Sequence, residues 1–346
     1  MRLGFISMPL AGHLNPMTAL ARKLKSRGHE AVFIGVPDGA PIVKAAGLDF
    51  VPFCEREFPA GAVSKGYSPV AKLQGLAVAE YSIRELHPKR CQAALQHLPE
   101  KLTDEKIDAL VIDTIHFFVE LVPIRLGMPY VHIWNVLHLD RSGQTPPCFL
   151  DLPYETSAEG LARNWQGVKR VHELLSPVVA VAKGNAAAYK LDIDFNDWNS
   201  TASKLAIITQ TPKEFDLPIA KLPSQFHYAG PFHDGRGREP IDFPFEQLTG
   251  QPLIYASMGT LLNGMERVYR EILDSIRKCS DLQAVLVIGR NIRREDIEPI
   301  PANAIVVTRA PQLELLRRAA LCITHAGINT ALEALAEGVP LLSGRF

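Results

Sequence analysis

The chain has 346 residues, a length that suits two domains better than one. Its 37 basic residues balance its 37 acidic residues, which argues against a protein that coats nucleic acid by charge. The five cysteines are widely spaced and form no Cys-x-x-Cys pair, so they argue against a disulfide scaffold or a four-cysteine zinc site and favour a reducing compartment. No uncharged apolar stretch is long enough to predict a membrane span, and the first residues are more typical of a strand than of a signal peptide.

The first part of the chain alternates between apolar runs and helical patterns. Residues 2–7 form an apolar run that predicts a buried strand, followed by a loop that carries His13. Asn15 and Pro16 predict the start of a helix, because proline suits the first turn. Residues 31–35 predict the next strand. This succession of strand, helix and strand is typical of a parallel α/β sheet.

The composition changes between residues 212 and 252, where seven prolines occur. We interpret residues 233–252 as a linker between a domain at 1–232 and a second domain at 253–346. Apolar runs predict further strands on both sides of the linker, at residues 108–113, 130–134, 253–259, 284–289, 305–309, 321–325 and 339–342. The sequence therefore predicts two α/β units in tandem.

A histidine and an aspartate follow two predicted strands of the first unit. His13 lies in the stretch Ala-Gly-His-Leu-Asn-Pro after the first strand, and Asp113 ends the strand at 108–113. Parallel strands bring their carboxyl ends to the same edge of a sheet, where open α/β sheets bind ligands. A carboxylate beside an imidazole fixes its tautomer and raises its basicity, so the pair can take a proton from a hydroxyl group. Either residue alone would be more typical of a helix cap or a turn.

The second unit carries a strand, a tight turn and a helix that suit a diphosphate. His325 ends a predicted strand, Gly327 allows a turn, and a helix continues towards Gly338. The first turn of a helix offers unpaired N–H groups and the positive end of the dipole, and Asn329 and Thr330 add donors. The stretch Ser-Met-Gly-Thr at 257–260 is a weaker candidate for phosphate contact.

An Asp-x-Asp pattern at Asp192 and Asp194 is the alternative candidate for a metal-assisted diphosphate site. It lies in a polar stretch without a strong preceding strand, so we interpret it as a solvated turn. The other histidines show no metal-ligand pattern on one helix face.

These motifs resemble the UDP-glycosyltransferase superfamily, and their order along the whole chain matches it. The resemblance rests on Gly-His-Leu-Asn-Pro at 12–16, Val-Ile-Asp at 111–113, Ala-Pro-Gln at 310–312, and the long run from residue 324 to residue 335 followed by Gly-Val-Pro at 338–340. The amino-acid sequences of these motifs are most similar to those of bacterial zeaxanthin and macrolide glucosyltransferases. The resemblance implies an α/β protein of GT-B fold, with two Rossmann-like parallel-sheet domains facing a cleft.

The resemblance also implies a role for each matched residue. His13 would be the general base and Asp113 would orient it. The other matched residues would bind the donor. Its nucleoside would contact Arg309, Ala310 and Gln312, and its ribose would contact Glu333. Its diphosphate would contact His325, Gly327, Asn329 and Thr330, and the turn residues Ser257, Gly259 and Thr260 would complete the donor site. Arg309 replaces the tryptophan of many plant members; its guanidinium can stack on a base, which leaves the choice between uridine and thymidine open.

By this resemblance we expect an inverting, metal-independent enzyme. It would move a hexose, glucose in the first place, from a UDP-sugar to a hydroxyl group of a lipophilic acceptor such as a carotenoid or another terpenoid or polyketide. We expect no cofactor, no nucleic-acid partner and a cytoplasmic location, with peripheral contact to the inner face of the membrane left open. A nucleotide-sugar 2-epimerase of the same fold is one alternative. A remnant that binds nucleotide or a partner protein without transferring sugar is the other.

Family members continue beyond the Val-Pro strand with an Asp-Gln pair that binds the donor sugar and with further helices. This chain ends at Phe346. We therefore expect an incomplete second domain, with an uncovered sheet edge that favours self-association.

Overall fold

The computed structural model describes residues 1–73, 75–197, 199–259 and 264–344. The chain forms two compact units. The first contains Met1–Gly66 and Gly75–Arg238, and the second contains Tyr67–Gln74 and Glu239–Phe346. In the described part of the chain, no helix is both long and apolar enough to cross a membrane.

The first unit is built on a parallel sheet that has seven strands among the described residues, in the order β3-β2-β1-β4-β5-β6-β7. The strands are β1 Arg2–Ile6, β2 Glu30–Gly35, β3 Asp49–Pro52, β4 Ala109–Asp113, β5 Tyr130–Trp134, β6 Ile207–Thr209 and β7 Phe226–Tyr228. Its central strands are apolar and buried, as parallel strands covered on both faces must be. Phe5 on β1 and Phe33 on β2 stack with their ring centres 4.9 Å apart.

Helices connect these strands. They are α1 Ala11–Lys25, α2 Ala40–Ala45, α3 Ala62–Tyr67, α4 Leu76–Tyr81, α5 His87–Asp104, α6 Leu121–Leu126 and α7 Ala158–Ala188. Leu14 and Met17 on α1 are buried in the same core cluster as Phe5 and Phe33.

The second unit repeats the parallel α/β arrangement. In the residues that the structure describes, its sheet has five strands in the order β10-β9-β8-β11-β12. Its elements are β8 Leu253–Ser257, α8 Glu266–Arg277, β9 Gln283–Val287, β10 Ala304–Val307, α9 Gln312–Leu316, β11 Ala319–Thr324, α10 Ile328–Ala336 and β12 Leu341–Ser343. On α8, the side chains of Ile272, Leu273 and Ile276 are buried against β8 and β9.

The predicted start of the first helix is wrong. The helix α1 begins at Ala11 rather than at Asn15, so His13 lies in its first turn and Pro16 lies inside it. Leu14 N already donates to Leu10 O over 2.8 Å, which shows that the helical hydrogen bonds begin before the proline. Leu10 offers no capping side chain, so the usual signal for a helix start is missing here.

Candidate functional site

The structure brings His13 and Asp113 together. Asp113 ends β4, and His13 lies in the first turn of α1, which follows the neighbouring strand β1. The Nδ1 atom of His13 lies 2.8 Å from Oδ2 of Asp113. The aspartate side chain is completely buried, whereas 13% of the histidine side chain is exposed. Since Nδ1 faces a carboxylate, it carries the ring hydrogen, and Nε2 is the nitrogen left to accept a proton.

Further donors surround the carboxylate. Ser7 Oγ and the backbone N–H of Met8 donate to Oδ2 of Asp113, over 3.1 and 3.2 Å, and the backbone N–H of Ile115 donates to Oδ1 over 3.3 Å. Burial acts to raise the pKa of Asp113, but His13 and the backbone donors outweigh it and hold the pKa below its usual value. The aspartate therefore stays ionised and keeps the imidazole in one tautomer.

Two neutral histidines and an arginine lie around the pair. Burial, with the nearby Arg90, lowers the pKa of His87 to about 3 and that of His116 to about 4. Neither ring therefore carries a charge near neutral pH. Arg90 is itself buried, and its Nη1 lies 3.8 Å from Sδ of Met8. The motifs did not point to these three residues.

A small pocket lies beside the pair in the first unit. Ser7 and His116 line it, and both residues contact Asp113. Most of the remaining wall is apolar and includes Ile34, Phe53 and Phe58. An apolar pocket with a few polar groups is typical of small-molecule sites.

In the second unit, β8 and β11 are adjacent parallel strands with Ser257 opposite Thr324, so the segments that follow them lie side by side. His325 packs between the glycines of these segments. A Cβ atom on Gly259 would lie 2.5 Å from Cε1 of His325, and one on Gly327 would lie 2.8 Å from its Nε2. Gly259 also has a φ of +78°, so glycine is required there by conformation and by contact. Ser257 Oγ accepts the N–H of Gly259 over 3.4 Å.

The helix α10 starts directly after this turn, with Gly327 preceding its first residue. Its first turn presents backbone N–H groups beside His325 and Asn329, as an anion site needs. Burial lowers the pKa of His325, although a hydrogen bond with the backbone of Ser257 opposes the shift. The ring is therefore neutral, and it would contact an anion as a hydrogen-bond donor rather than as a cation.

The other predicted donor residues form a second polar group in this unit. Gln312 Nε2 donates to Oε2 of Glu333 over 2.6 Å and lies 3.4 Å from Oγ1 of Thr330. Tyr255 OH donates to Oε1 of Gln312 over 3.0 Å. The motifs missed Tyr255, although a buried tyrosine hydroxyl generally needs a partner.

The remaining predicted residues have different surroundings. Ala310 is buried. The guanidinium of Arg309 is exposed and pairs with Glu239 over 2.7 Å. Thr260 lies outside the described residues.

Asp192 and Asp194 lie in an exposed turn. Asp194 accepts the backbone N–H of Asn196 over 2.8 Å, which closes the turn. The geometry agrees with the interpretation of this pattern as a solvated turn.

Three comparisons describe what the chain is similar to. Residues 204–345 match the family model for UDP-glucoronosyl and UDP-glucosyl transferase. Over 98% of its length the chain is 26% identical to a zeaxanthin glucosyltransferase of Pantoea ananas, of which it covers 78%. It is 25% identical to the NDP-glycosyltransferase YjiC of Bacillus subtilis (strain 168), with the same two coverages of 98% and 78%.

Solved structures show the same fold. The glycotransferase of kitacinnamycin superposes with a TM-score of 0.72 at 19% identity, over 100% of this chain and 80% of that one. The calicheamicin glycosyltransferase CalG4 gives a TM-score of 0.69 at 21% identity, over 99% of this chain and 79% of that one. The expected pair of parallel-sheet units of GT-B type is thereby confirmed. The motifs, the fold and the sequence matches together indicate a glycosyltransferase enzyme that is similar to the UDP-glucosyl transferases and to glycosyltransferases of small molecules.

Proposed function

We propose that this enzyme moves a hexose, glucose in the first place, from a UDP-sugar to a hydroxyl group of a lipophilic small molecule, with inversion and without a metal ion. The observation that carries the proposal is the buried contact of 2.8 Å between His13 and Asp113. It provides a base whose proton-accepting nitrogen is determined by an ionised partner.

In this mechanism, Nε2 of His13 removes the proton of the acceptor hydroxyl. The oxygen then attacks the anomeric carbon, and the bond from that carbon to the diphosphate oxygen breaks. The nucleotide leaves as the diphosphate. Asp113 stabilises the imidazolium that forms, because its carboxylate stays charged beside Nδ1.

The second unit would bind the donor. The first turn of α10 and the neutral ring of His325 would donate hydrogen bonds to the diphosphate, and Glu333 with Gln312 would bind the nucleoside. A solved relative in fold, the glycosyltransferase VinC, was determined in complex with dTDP. The choice between uridine and thymidine is therefore part of the test.

A lipophilic acceptor is supported by the apolar wall of the pocket beside the pair. It is supported also by the zeaxanthin glucosyltransferase of Pantoea ananas, whose name gives its acceptor. The relatives named above are all sugar transferases, and they offer no support for an epimerase.

The test is product analysis by mass spectrometry after incubation with UDP-glucose or TDP-glucose, with and without hydroxylated terpenoids and polyketides. Transfer requires the acceptor and yields a glycoside. An epimerised sugar nucleotide that forms without acceptor would contradict the proposal, and so would nucleotide binding without any glycoside across the panel. The His13→Ala variant is the control for enzyme-dependent product.

A further inference from the structure

A cysteine, a glutamate and a histidine come together at the edge of the first unit. The Sγ atom of Cys54, a carboxylate oxygen of Glu57 and a ring nitrogen of His97 all lie within 4.8 Å of one another. Glu57 Oε1 and His97 Nε2 are 3.3 Å apart. The group shares no residue with the His13–Asp113 pair or with the predicted donor site.

The fold brings the three side chains together from two segments. Cys54 begins a tight turn after β3, in which the N–H of Phe58 donates to the carbonyl of Cys54 over 2.8 Å. Cys54 has a φ of 56°, a left-handed conformation that a residue other than glycine adopts only when its surroundings hold it there. The same turn carries Glu57.

The helix α5 supplies the third side chain. The thiol of Cys54 lies 3.6 Å from the carbonyl oxygen of Ala93. His97 is one turn further along α5, on the same face of the helix. The cysteine is therefore held against the part of α5 that presents the histidine.

We propose that Cys54, Glu57 and His97 bind a thiophilic divalent cation, with Zn²⁺ as the best match. Thiolate, carboxylate and imidazole are the groups that zinc uses, at bond lengths of about 2.0–2.3 Å. Tetrahedral geometry then places ligand atoms about 3.3–3.8 Å apart. The separations here are at most 4.8 Å, so closure of the site needs movements of about 1 Å. A water molecule would take the fourth position.

The ligand set decides the class of metal. Mg²⁺ and Ca²⁺ prefer oxygen ligands, and this group offers one carboxylate. The thiolate is the form of cysteine that binds metals, so the metal has to displace the thiol proton of Cys54. That cost favours metals with a strong affinity for thiolate. The side chains of His97 and Glu57 are 37% and 43% exposed, which leaves an entry path from solvent.

A bound cation would link the turn after β3 to α5 through its three ligands. Cys54, Phe58 and Ala93 all line the pocket beside the His13–Asp113 pair. The cation would therefore stabilise one wall of that pocket without taking part in sugar transfer.

The test uses the full chain, stripped of metal by a chelator, and titrates it with Co²⁺ and then Zn²⁺. We expect a cobalt–thiolate charge-transfer band that saturates at one equivalent and disappears when Zn²⁺ displaces the cobalt. Cys54→Ser should abolish the band and weaken Zn²⁺ binding by about 100-fold or more, beyond the 10–100-fold typical for loss of a supporting residue. Cys148→Ser and Cys279→Ser are the matched controls, since these cysteines lie outside the group, and both should keep the band.

His97→Ala and Glu57→Gln keep the test decisive if Cys54→Ser does not fold. Both side chains are partly exposed, so the variants should fold, as circular dichroism would check, and each should bind Zn²⁺ more weakly than the parent chain. Absence of a thiolate band in the parent chain would overturn the proposal. A band that survives Cys54→Ser, or unchanged Zn²⁺ affinity in both His97→Ala and Glu57→Gln, would do the same. None of these measurements depends on sugar transfer, so the proposed function can fail independently.

Discussion

Replacement of Asp113 by asparagine tests the base directly. The substitution keeps the size of a side chain that is completely buried. An amide oxygen can still accept from His13, Ser7 and Met8, whereas the amide NH₂ then faces the backbone N–H of Ile115, so the hydrogen bond of 3.3 Å that Oδ1 accepts is lost. The geometry and the tautomer of the imidazole are therefore largely kept, and the main change is the loss of one negative charge.

The size of the effect follows from the separation of the charges. During transfer His13 becomes an imidazolium whose charge centre lies about 4 Å from that of the carboxylate, and an effective dielectric constant of about 20 gives about 4 kcal/mol. This energy corresponds to a factor of about 10³ in kcat. The effect on KM should be small, because the histidine is neutral before the proton moves.

Steady-state kinetics with UDP-glucose and an accepted hydroxyl compound would measure kcat and KM of Asp113→Asn. Asp140→Asn is the matched control. Asp140 is also buried and accepts from the backbone and hydroxyl groups of Ser142 and Thr145. Its substitution should lower the melting temperature and leave kcat close to that of the parent chain. A folded Asp113→Asn variant whose kcat lies within about tenfold of the parent would refute the reasoning.

Four further results are expected. His13→Ala should lower kcat by about 100-fold or more with an unchanged circular dichroism spectrum, and transfer at the parent rate would place the base elsewhere. Gly259→Ala should weaken UDP binding in isothermal titration, because its Cβ would lie 2.5 Å from the ring of His325. Gly250→Ala is its control, with a similar φ of +83° and no atom within 4 Å of the added Cβ, so equal losses would contradict the contact argument. EDTA should leave kcat unchanged, and a divalent-ion requirement would contradict the metal-free mechanism. Burial raises the pKa of Glu120 in the folded chain from 4.5 to about 7. Between these two pH values the unfolded chain has released the proton and the folded chain still holds it, so the free energy of unfolding falls as the pH rises. Glu120→Gln should therefore raise the melting temperature more at about pH 8 than at about pH 5, and an equal change at both would contradict the assignment.

The sequence was sufficient to predict the pairing of His13 with Asp113. Both follow apolar runs that are unambiguous strands, and parallel topology brings the ends of such strands to one edge. The start of α1 could not be predicted, because Leu10 provides no cap and Pro16 suggests a later start. Local signals fail at that point, and packing of the helix against the sheet decides its length.

Contacts between distant segments were the harder part to predict. From the sequence, Tyr255 is predicted to be an ordinary core residue of a strand. The hydrogen bond from its hydroxyl group to Gln312 is evident only in the folded unit. The strands β6 and β7 have three residues each, too short for periodicity to distinguish them from loops. The group of Cys54, Glu57 and His97 has no motif spacing, since it joins a turn to a helix some forty residues later.

The candidate site of each unit lies at the same topological position of its own sheet. In the first sheet the order β2-β1-β4-β5 reverses direction between β1 and β4, and in the second the order β9-β8-β11-β12 reverses between β8 and β11. At such a point the connections after the two strands leave in opposite directions and open a crevice at the carboxyl edge. His13 follows β1 and Asp113 ends β4, whereas Gly259 and His325 follow β8 and β11. The topology therefore determines where each of the two sites forms, and the residue types at the strand ends determine its chemistry. In one sheet a buried carboxylate orients a base, and in the other glycines leave room for an imidazole beside the start of a helix.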